Sequence, residues 1–492
     1  MKEYILTLDL GTTNIKAGIY SSSLEEISIV SSKVNYNNLN NFVEFDAEDY
    51  WYTCKKNLID VIEKSGIDRK RIVSISLTGQ AESLVTIGKN NEPLGNAISW
   101  MDERSDEECK VLKKNFDSKS SYMITGQPEI VTTWPVTKIL WIKNNQKSRF
   151  ENTKMFLLIK DFIIFKLTGR FVSEYSISSF TYYLDIINKK YWEDIINYVG
   201  FNITQLPELH EPGENIFGLR EEIARELEIR DDIAVNIGML DHFSGMLGVG
   251  NIEEGILSES TGTVLALATI LKNPGSNLYP LPFHYGPFPN TYSLLPVCES
   301  GGICYEWFKD NFFPESSFDE INKQIEERLN NKKENYLLFL PYIMGVNSPE
   351  FDPRAKGVFY GIKINNNKID FARAVLEGVA FLLNKNIDFL EHKGIDIKRI
   401  ISTGGGSKSR IWNQMKADIT NKEIYLPKYK EATLFGAAIC ALSKLYNLSY
   451  KDIVENNVEF LDKITPDAEN VNYYKNAYNK FVGIYERLEE LF

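Results

Sequence analysis

Asp9-Leu10-Gly11-Thr12-Thr13-Asn14-Ile15-Lys16 joins two segments that alternate apolar and polar residues, Tyr4 to Asp9 and Asn14 to Tyr20. Alternation with a period of two predicts strands, so Gly11-Thr12-Thr13 reads as the turn of a β-hairpin. A third strand is expected over Ile27 to Val34, beyond the turn at Ser21-Ser22-Ser23, and the chain opens as an antiparallel meander. Asp46 is placed to cap a helix that carries Tyr50, Cys54, Leu58, Val61 and Ile62 at helical spacing. Strands return at Ile72 to Leu77, Leu84 to Ile87 and Ala97 to Trp100. Strands mixed with helices make this an α/β chain.

A similar opening recurs about halfway along. Ala234 to Gly238 reads as a short strand and a helix is expected from Asp241. Gly255 to Ser260 and Thr263 to Ala268 then read as two strands joined at Thr261-Gly262. Two polar hairpins, each heading its own α/β unit, imply two facing lobes, with the boundary near residue 245 and domains 1–245 and 246–492. Asn330 to Asn335 reads as a solvent-exposed charged loop.

Bulk properties exclude several classes. At 492 residues the chain is too long for one simple core. Its net charge of −12, with no basic stripe, argues against nucleic acid or an anionic membrane as partner. The five cysteines are scattered without a CxxC pair, and the four histidines lie too far apart for a local zinc motif. With no signal peptide and no apolar run long enough to span a bilayer, a soluble cytoplasmic protein is expected.

Four stretches carry the residue types that phosphate chemistry needs. In the first hairpin Gly11 lets backbone N–H groups approach an anion, Thr12, Thr13 and Asn14 add short donors, and Lys16 adds a point charge. Asp9 offers hard oxygen ligands for Mg²⁺ or its waters. Glu259-Ser260-Thr261-Gly262-Thr263 is the matching second hairpin, and Ile400 to Thr403 running into Gly404-Gly405-Gly406-Ser407-Lys408-Ser409 makes a flat backbone surface for a nucleoside. That run lacks both the GxGxxG spacing and the GxxxxG frame before Lys-Ser, so it is neither a dinucleotide fingerprint nor a Walker loop. Each stretch also has a plain reading as a turn. Asp241 likewise stands open between a helix cap, with Ser244 in partial support, and a general base.

In this order, the four stretches resemble the FGGY carbohydrate kinases of the actin-like, ribonuclease H-like ATPase superfamily. The resemblance runs from DLGTTNIK at residue 9 to EATLFGAAICAL ending at Leu442. Gly357 to Ile362 followed by Asp370 to Glu377 is similar to the family's C-terminal signature. Pro135 to Ile142 is similar to the N-terminal one, with Thr133 departing from its usual opening residue. Asp352 to Gly357 resembles a run seen in xylulokinase-like members.

The resemblance implies two ribonuclease H-like lobes around a central nucleotide and sugar cleft, ATP and Mg²⁺ as cofactors, and a small sugar or polyol as acceptor. It implies Asp9 near Mg²⁺, with Thr12, Thr13, Asn14 and Lys16 around the γ-phosphate and Thr261 and Gly262 facing the phosphates. It implies Gly404, Gly405 and Ser409 at the adenosine end, Asp241 as catalytic base, and Gln80, Glu82, Trp100, Asp102 and His242 lining the acceptor pocket. Homodimers are common among such relatives, and nothing in the sequence locates an interface. The acceptor pocket departs from known branches. Ala81 stands where glycerol kinases carry arginine, Ala81-Glu82 where xylulokinases usually show Met-His, and His242 where they show asparagine. A ketose of the xylulose or ribulose type is expected, with a glycerol- or erythritol-like polyol as the alternative. From another class, a non-metabolic actin-like filament or chaperone ATPase shares the hairpins. A catalytically silent sugar sensor would be marked by loss of Asp9 or Asp241, and both are present.

Overall fold

The computed structural model describes residues 2–274, 278–329 and 337–492, so the charged stretch Asn330 to Asn335 lies outside the described residues. The chain forms two compact units. One takes the residues up to Ile252 together with Leu271–Ser293 and Tyr429–Val458, and the other takes Glu253–Ile270, Leu294–Lys428 and Glu459–Phe492.

The first unit is built on the opening meander. Strands Tyr4–Leu10, Asn14–Ser21 and Glu26–Lys33 pair antiparallel, and Leu10 opposite Ile15 closes the first hairpin. Ile72–Gly79 then lies parallel to the first strand and Ala234–Leu240 parallel to Ile72–Gly79, with Asn215–Phe217 at the edge. Alternation does what the pattern requires. Leu6, Leu8 and Leu10 are fully buried in one cluster with Ile15, Ala17 and Ile19, which leaves Asp9 on the opposite face of its strand. Asp46 caps helix Ala47–Ser65, accepting from the N–H groups of Glu48 and Asp49 at 2.7 and 3.1 Å. Tyr50, Cys54, Leu58, Val61 and Ile62 of that helix are all buried. The strand expected over Ala97 to Trp100 is shorter, Ala97–Ile98, because the chain turns at Ser99 to bond Asp102.

Two close approaches aim the end of Ala234–Leu240. Its pairing with Ile72–Gly79 slips between Asn236 and Met239, and Gly238 sits there at φ +61°. A Cβ at Gly238 would lie 1.5 Å from the Leu77 carbonyl oxygen, so only glycine permits this bulge. Helix Asp241–Gly248 follows at once and packs on helix Ala432–Tyr446 of the same unit. At that crossing a Cβ on Gly248 would meet Ala432 O at 1.9 Å, and one on Gly436 would meet Ser244 O at 1.8 Å. The two backbones therefore touch.

The second unit repeats the plan. Ile256–Thr261 and Leu265–Leu271 form an antiparallel hairpin, and Arg399–Thr403 lies parallel to the first of them. Glu423–Pro427 and Phe460–Ile464 extend this sheet. Thr261 is still strand, so the turn falls one residue later than the sequence pattern predicts. The pattern cannot show the pairing of Thr261 with Leu265, which holds Thr261 in the ladder. Helices Lys368–His392, Arg410–Thr420 and Ala468–Leu488 pack together in this unit, with Trp412 and Met415 buried. No helix among the described residues is long and apolar enough to cross a membrane.

Gly436→Ala tests the crossing: the added methyl must push two helices apart, and thermal unfolding should show a loss of about 1–3 kcal/mol or more. An unchanged melting temperature would mean that the crossing yields freely.

Candidate functional site

In the first unit the hairpin turn is gripped by its carbonyls. Tyr50 Oη and Gln80 Nε2 donate to Gly11 O at 3.1 and 3.2 Å, and Tyr36 Oη donates to Thr12 O at 2.9 Å. Val34 N–H donates to Thr13 O at 3.0 Å. Gly11 N–H faces Asn14 O where the ladder closes, and the N–H groups of Thr12 and Thr13 have no partner among the described residues. A turn held by its oxygens with N–H groups vacant is an anion cradle. Trp100 Nε1–H donates to Thr12 Oγ1 at 2.9 Å, which ties the Trp100 loop to the turn. Lys16 Nζ, expected to face a phosphate, contacts Glu431 Oε2 at 2.6 Å.

Three carboxylates share one neighbourhood with that turn. Burial pushes Asp9 up to about 8, Asp241 adds to the shift, and Lys16 opposes it. Asp9 Oδ1 is buried without a hydrogen-bond partner among the described residues. Burial likewise raises Glu82 to about 8, with Asp241 adding and Lys138 opposing. Glu82 is held at φ +68°, a backbone strain that fixes where its side chain points. Asp241 and His242 are half-buried by surface area. They sit in a recess deep enough that burial raises the Asp241 carboxyl and lowers the His242 imidazole.

The capping reading of Asp241 is not realised. Asp241 is the first residue of its helix, and its Oδ1 accepts from the adjacent His242 N–H at 2.6 Å. Ser244 Oγ turns away and donates to Thr433 O at 2.8 Å. The residue just before Asp241 is anchored instead: Leu240 N–H donates to Ser176 Oγ at 3.1 Å. Fully buried Lys160 reaches Glu174 Oε1 at 2.6 Å and Ile237 O at 3.0 Å, and Glu174 also accepts from the N–H of Ser176. Asp102, expected beside the acceptor, is fully buried with both oxygens engaged by Arg104 and the Val43 N–H. It braces the turn after Trp100 rather than lining a pocket.

In the second unit a recess of about 510 Å³, the size of a small-ligand site, is lined by Thr261, Gly262, Gly405 and Ser409, four residues singled out in the sequence. Gly302, Tyr305, Phe318 and Trp412 are among the other residues that line it. Sequence reading missed these, although the Gly301-Gly302 pair after Ser300 was a signal. Gly302 N–H donates to Gly262 O at 2.7 Å, and a Cβ on Gly302 would lie 2.4 Å from that oxygen. Gly404 does not line the recess. It sits at φ +77° with its Cβ position 2.8 Å from Thr261 O, so it seats the glycine run against the hairpin. The Gly262 N–H is spent on Val264 O at 3.0 Å, while those of Thr263 and Gly405 have no partner among the described residues.

Comparison with known proteins agrees with this geometry. The N-terminal domain of the FGGY family of carbohydrate kinases matches residues 4–248, and its C-terminal domain matches residues 276–445. A xylulose kinase of Staphylococcus epidermidis is 30% identical over 100% of this chain and 98% of its own. The chain belongs to the FGGY family of carbohydrate kinases. A gluconokinase of Bacillus subtilis is 26% identical, with 99% of this chain and 97% of its own covered. The crystal structure of ligand-bound xylulose kinase from Lactobacillus acidophilus superposes with a TM-score of 0.87 at 25% identity, covering 99% of this chain and 98% of that one. The chain is thus an enzyme of the two-lobed actin-like class that phosphorylates a sugar with ATP as donor, and the filament and chaperone readings fall away.

Inside the second unit of this kinase, one buried ion pair organises the hairpin. Lys416 Nζ contacts Glu259 Oε1 at 2.6 Å and Thr261 Oγ1 at 2.9 Å, and Thr261 Oγ1–H donates to Glu259 Oε2 at 2.6 Å. Ser402 Oγ also bonds Glu259, and Asn413 bonds Ser402. Both charges are fully buried. The Thr261 hydroxyl is therefore occupied, and the donors this hairpin offers the recess lie beyond it, at Thr263. Lys416→Met should leave Glu259 as an unpaired buried charge and cost about 3–5 kcal/mol. The double variant Glu259→Leu, Lys416→Met should recover most of that loss in urea unfolding, whereas additive losses would show that the pair is not the coupling.

Proposed function

We propose that this kinase transfers the terminal phosphoryl group of ATP to a hydroxyl of a neutral ketose of the xylulose or ribulose type, with Asp241 as general base. The observation that supports the acceptor class is charge. Asp9, Glu82 and Asp241 crowd one neighbourhood. The nearby cations are engaged: Lys16 with Glu431, Lys160 with Glu174, and fully buried Lys138 with Thr133 O at 2.9 Å. A sugar acid would add a negative charge to a cluster of acids that burial already disfavours ionising, and the nearby lysines are engaged among the described residues. Among the relatives, the xylulose kinases therefore fit this recess better than the gluconokinases. Ala81 is buried and offers no donor, which argues against a small polyol that needs a guanidinium there.

Asp241 Oδ1 is held by the His242 N–H, so Oδ2 is left to take the proton of the attacking hydroxyl. Burial raises this carboxyl towards the pH at which a base both ionises and accepts a proton well. The vacant N–H groups of Thr12 and Thr13 would meet charge on the transferred phosphoryl group, and the second-unit recess would hold the nucleoside. The unpartnered, buried Asp9 Oδ1 suits a hard cation or its waters, so Asp9 would hold Mg²⁺. Bound with the nucleotide, that ion neutralises phosphate charge.

ADP release with D-xylulose, D-ribulose, gluconate and glycerol tests the acceptor: a ketose should give the highest rate, and fastest turnover of gluconate would overturn the charge argument. Asp241→Asn should keep ketose binding while turnover falls about 10²–10⁴-fold. Near-normal turnover in that variant removes Asp241 from the base role.

A further inference from the structure

One buried imidazole near His242 has no role so far. His284 lies on the short strand Phe283–Tyr285 of the first unit, on a segment that follows the second hairpin in sequence, and it is 3% exposed. Two contacts fix its ring and a third holds its strand. Phe180 stacks on it with centroids 3.8 Å apart and planes 7° apart. Gln127 Nε2 stands 3.1 Å from Nδ1, and an amide nitrogen can only donate, so Nδ1 accepts and the neutral ring carries its proton on Nε2. Tyr285 N–H, one residue on, donates to Ser179 Oγ at 3.0 Å.

The last contact links His284 to the proposed base. The helical turn Tyr175–Ser178 is anchored on both sides, since Ser176 Oγ accepts the Leu240 N–H just before Asp241 and Ser179 Oγ accepts the Tyr285 N–H just after His284. One turn of backbone thus fixes the spacing between the two side chains. His284 is close enough to His242 to feel its charge, and burial together with that charge holds it down to about 3, so it is neutral at any working pH. Nε2–H has no partner among the described residues. A neutral, pre-aimed donor left vacant beside a base suits an uncharged oxygen acceptor.

We propose that His284 is a specificity-determining residue of the acceptor site, its Nε2–H donating to a carbonyl or hydroxyl oxygen of the bound ketose. The proposal rests on the ketose reading above and deepens it. Gln127 sets the tautomer, Phe180 sets the plane, and a sugar lacking an oxygen at that point leaves the donor unpaired.

Calorimetric titration with D-xylulose and D-ribulose, without ATP, tests this on the wild type, His284→Phe and His284→Gln. Phenylalanine keeps a ring for Phe180 but removes the donor. Its ketose Kd should rise at least ten-fold, while Kd for ATP and the melting temperature stay within error. Glutamine keeps a neutral donor and should recover part of the affinity. Should the phenylalanine variant not fold, His284→Met answers the same question. Unchanged ketose binding in the donor-less variant, or equal weakening of ATP and ketose in both variants, overturns the proposal. If the wild type binds neither ketose, the ketose reading itself fails and takes the proposal with it. Turnover in Asp241→Asn bears on the base role alone.

Discussion

Ser244 and Gly436 meet backbone to backbone, and much of the first unit is arranged around that approach. With Gly248 against Ala432 on the other side of the crossing, two helices lie closer than any side chain would allow. Helix Asp241–Gly248 consequently has one seat. Its first residue is Asp241, and the strand that delivers it is bent by the Gly238 bulge and pinned by Lys160, Glu174 and Ser176. A carboxylate is useful to chemistry only if its position is decided before substrate arrives. Here the decision is made by three places where glycine alone fits and by one buried ion pair.

The two units place their charges differently. In the second, Glu259 and Lys416 neutralise each other completely and spend the Thr261 hydroxyl in doing so. That pair can only hold shape. In the first, the lysines near Asp9, Glu82 and Asp241 do not offset burial, which drives all three carboxyls upward. Unbalanced acids at a recess are costly to keep, which is why such groups tend to mark reacting centres rather than scaffolding.

Much of this was legible in the sequence, and the reasons are local. The hairpins at Gly11 and Gly262, the cap at Asp46 and the strand before Gly404 all follow from spacing and turn chemistry within a dozen residues. The family followed from the order of four such stretches. What stayed hidden depends on partners far away in the chain. Nothing near Lys16 announces Glu431, nothing near Glu259 announces Lys416, and Asp102 reads as a pocket residue until Arg104 and Val43 are seen to occupy it. His284 stood out only as one of four scattered histidines, because Gln127 and Phe180 lie more than a hundred residues before it.

The returning segment Tyr429–Val458 has a consequence for how the protein is made. The first unit holds the opening meander, yet one of its central helices, Ala432–Tyr446, is encoded near the end of the chain. A ribosome delivers the amino-terminal strands long before that helix. Until it emerges, Gly18, Tyr20, Ser76 and the Asp241 helix have nothing to pack against on that side, and the growing chain carries an unfinished face. Domains usually fold as units during synthesis, amino-terminal first. Here the order is reversed for the part that matters: the second unit's hairpin is translated in full before the first unit can close.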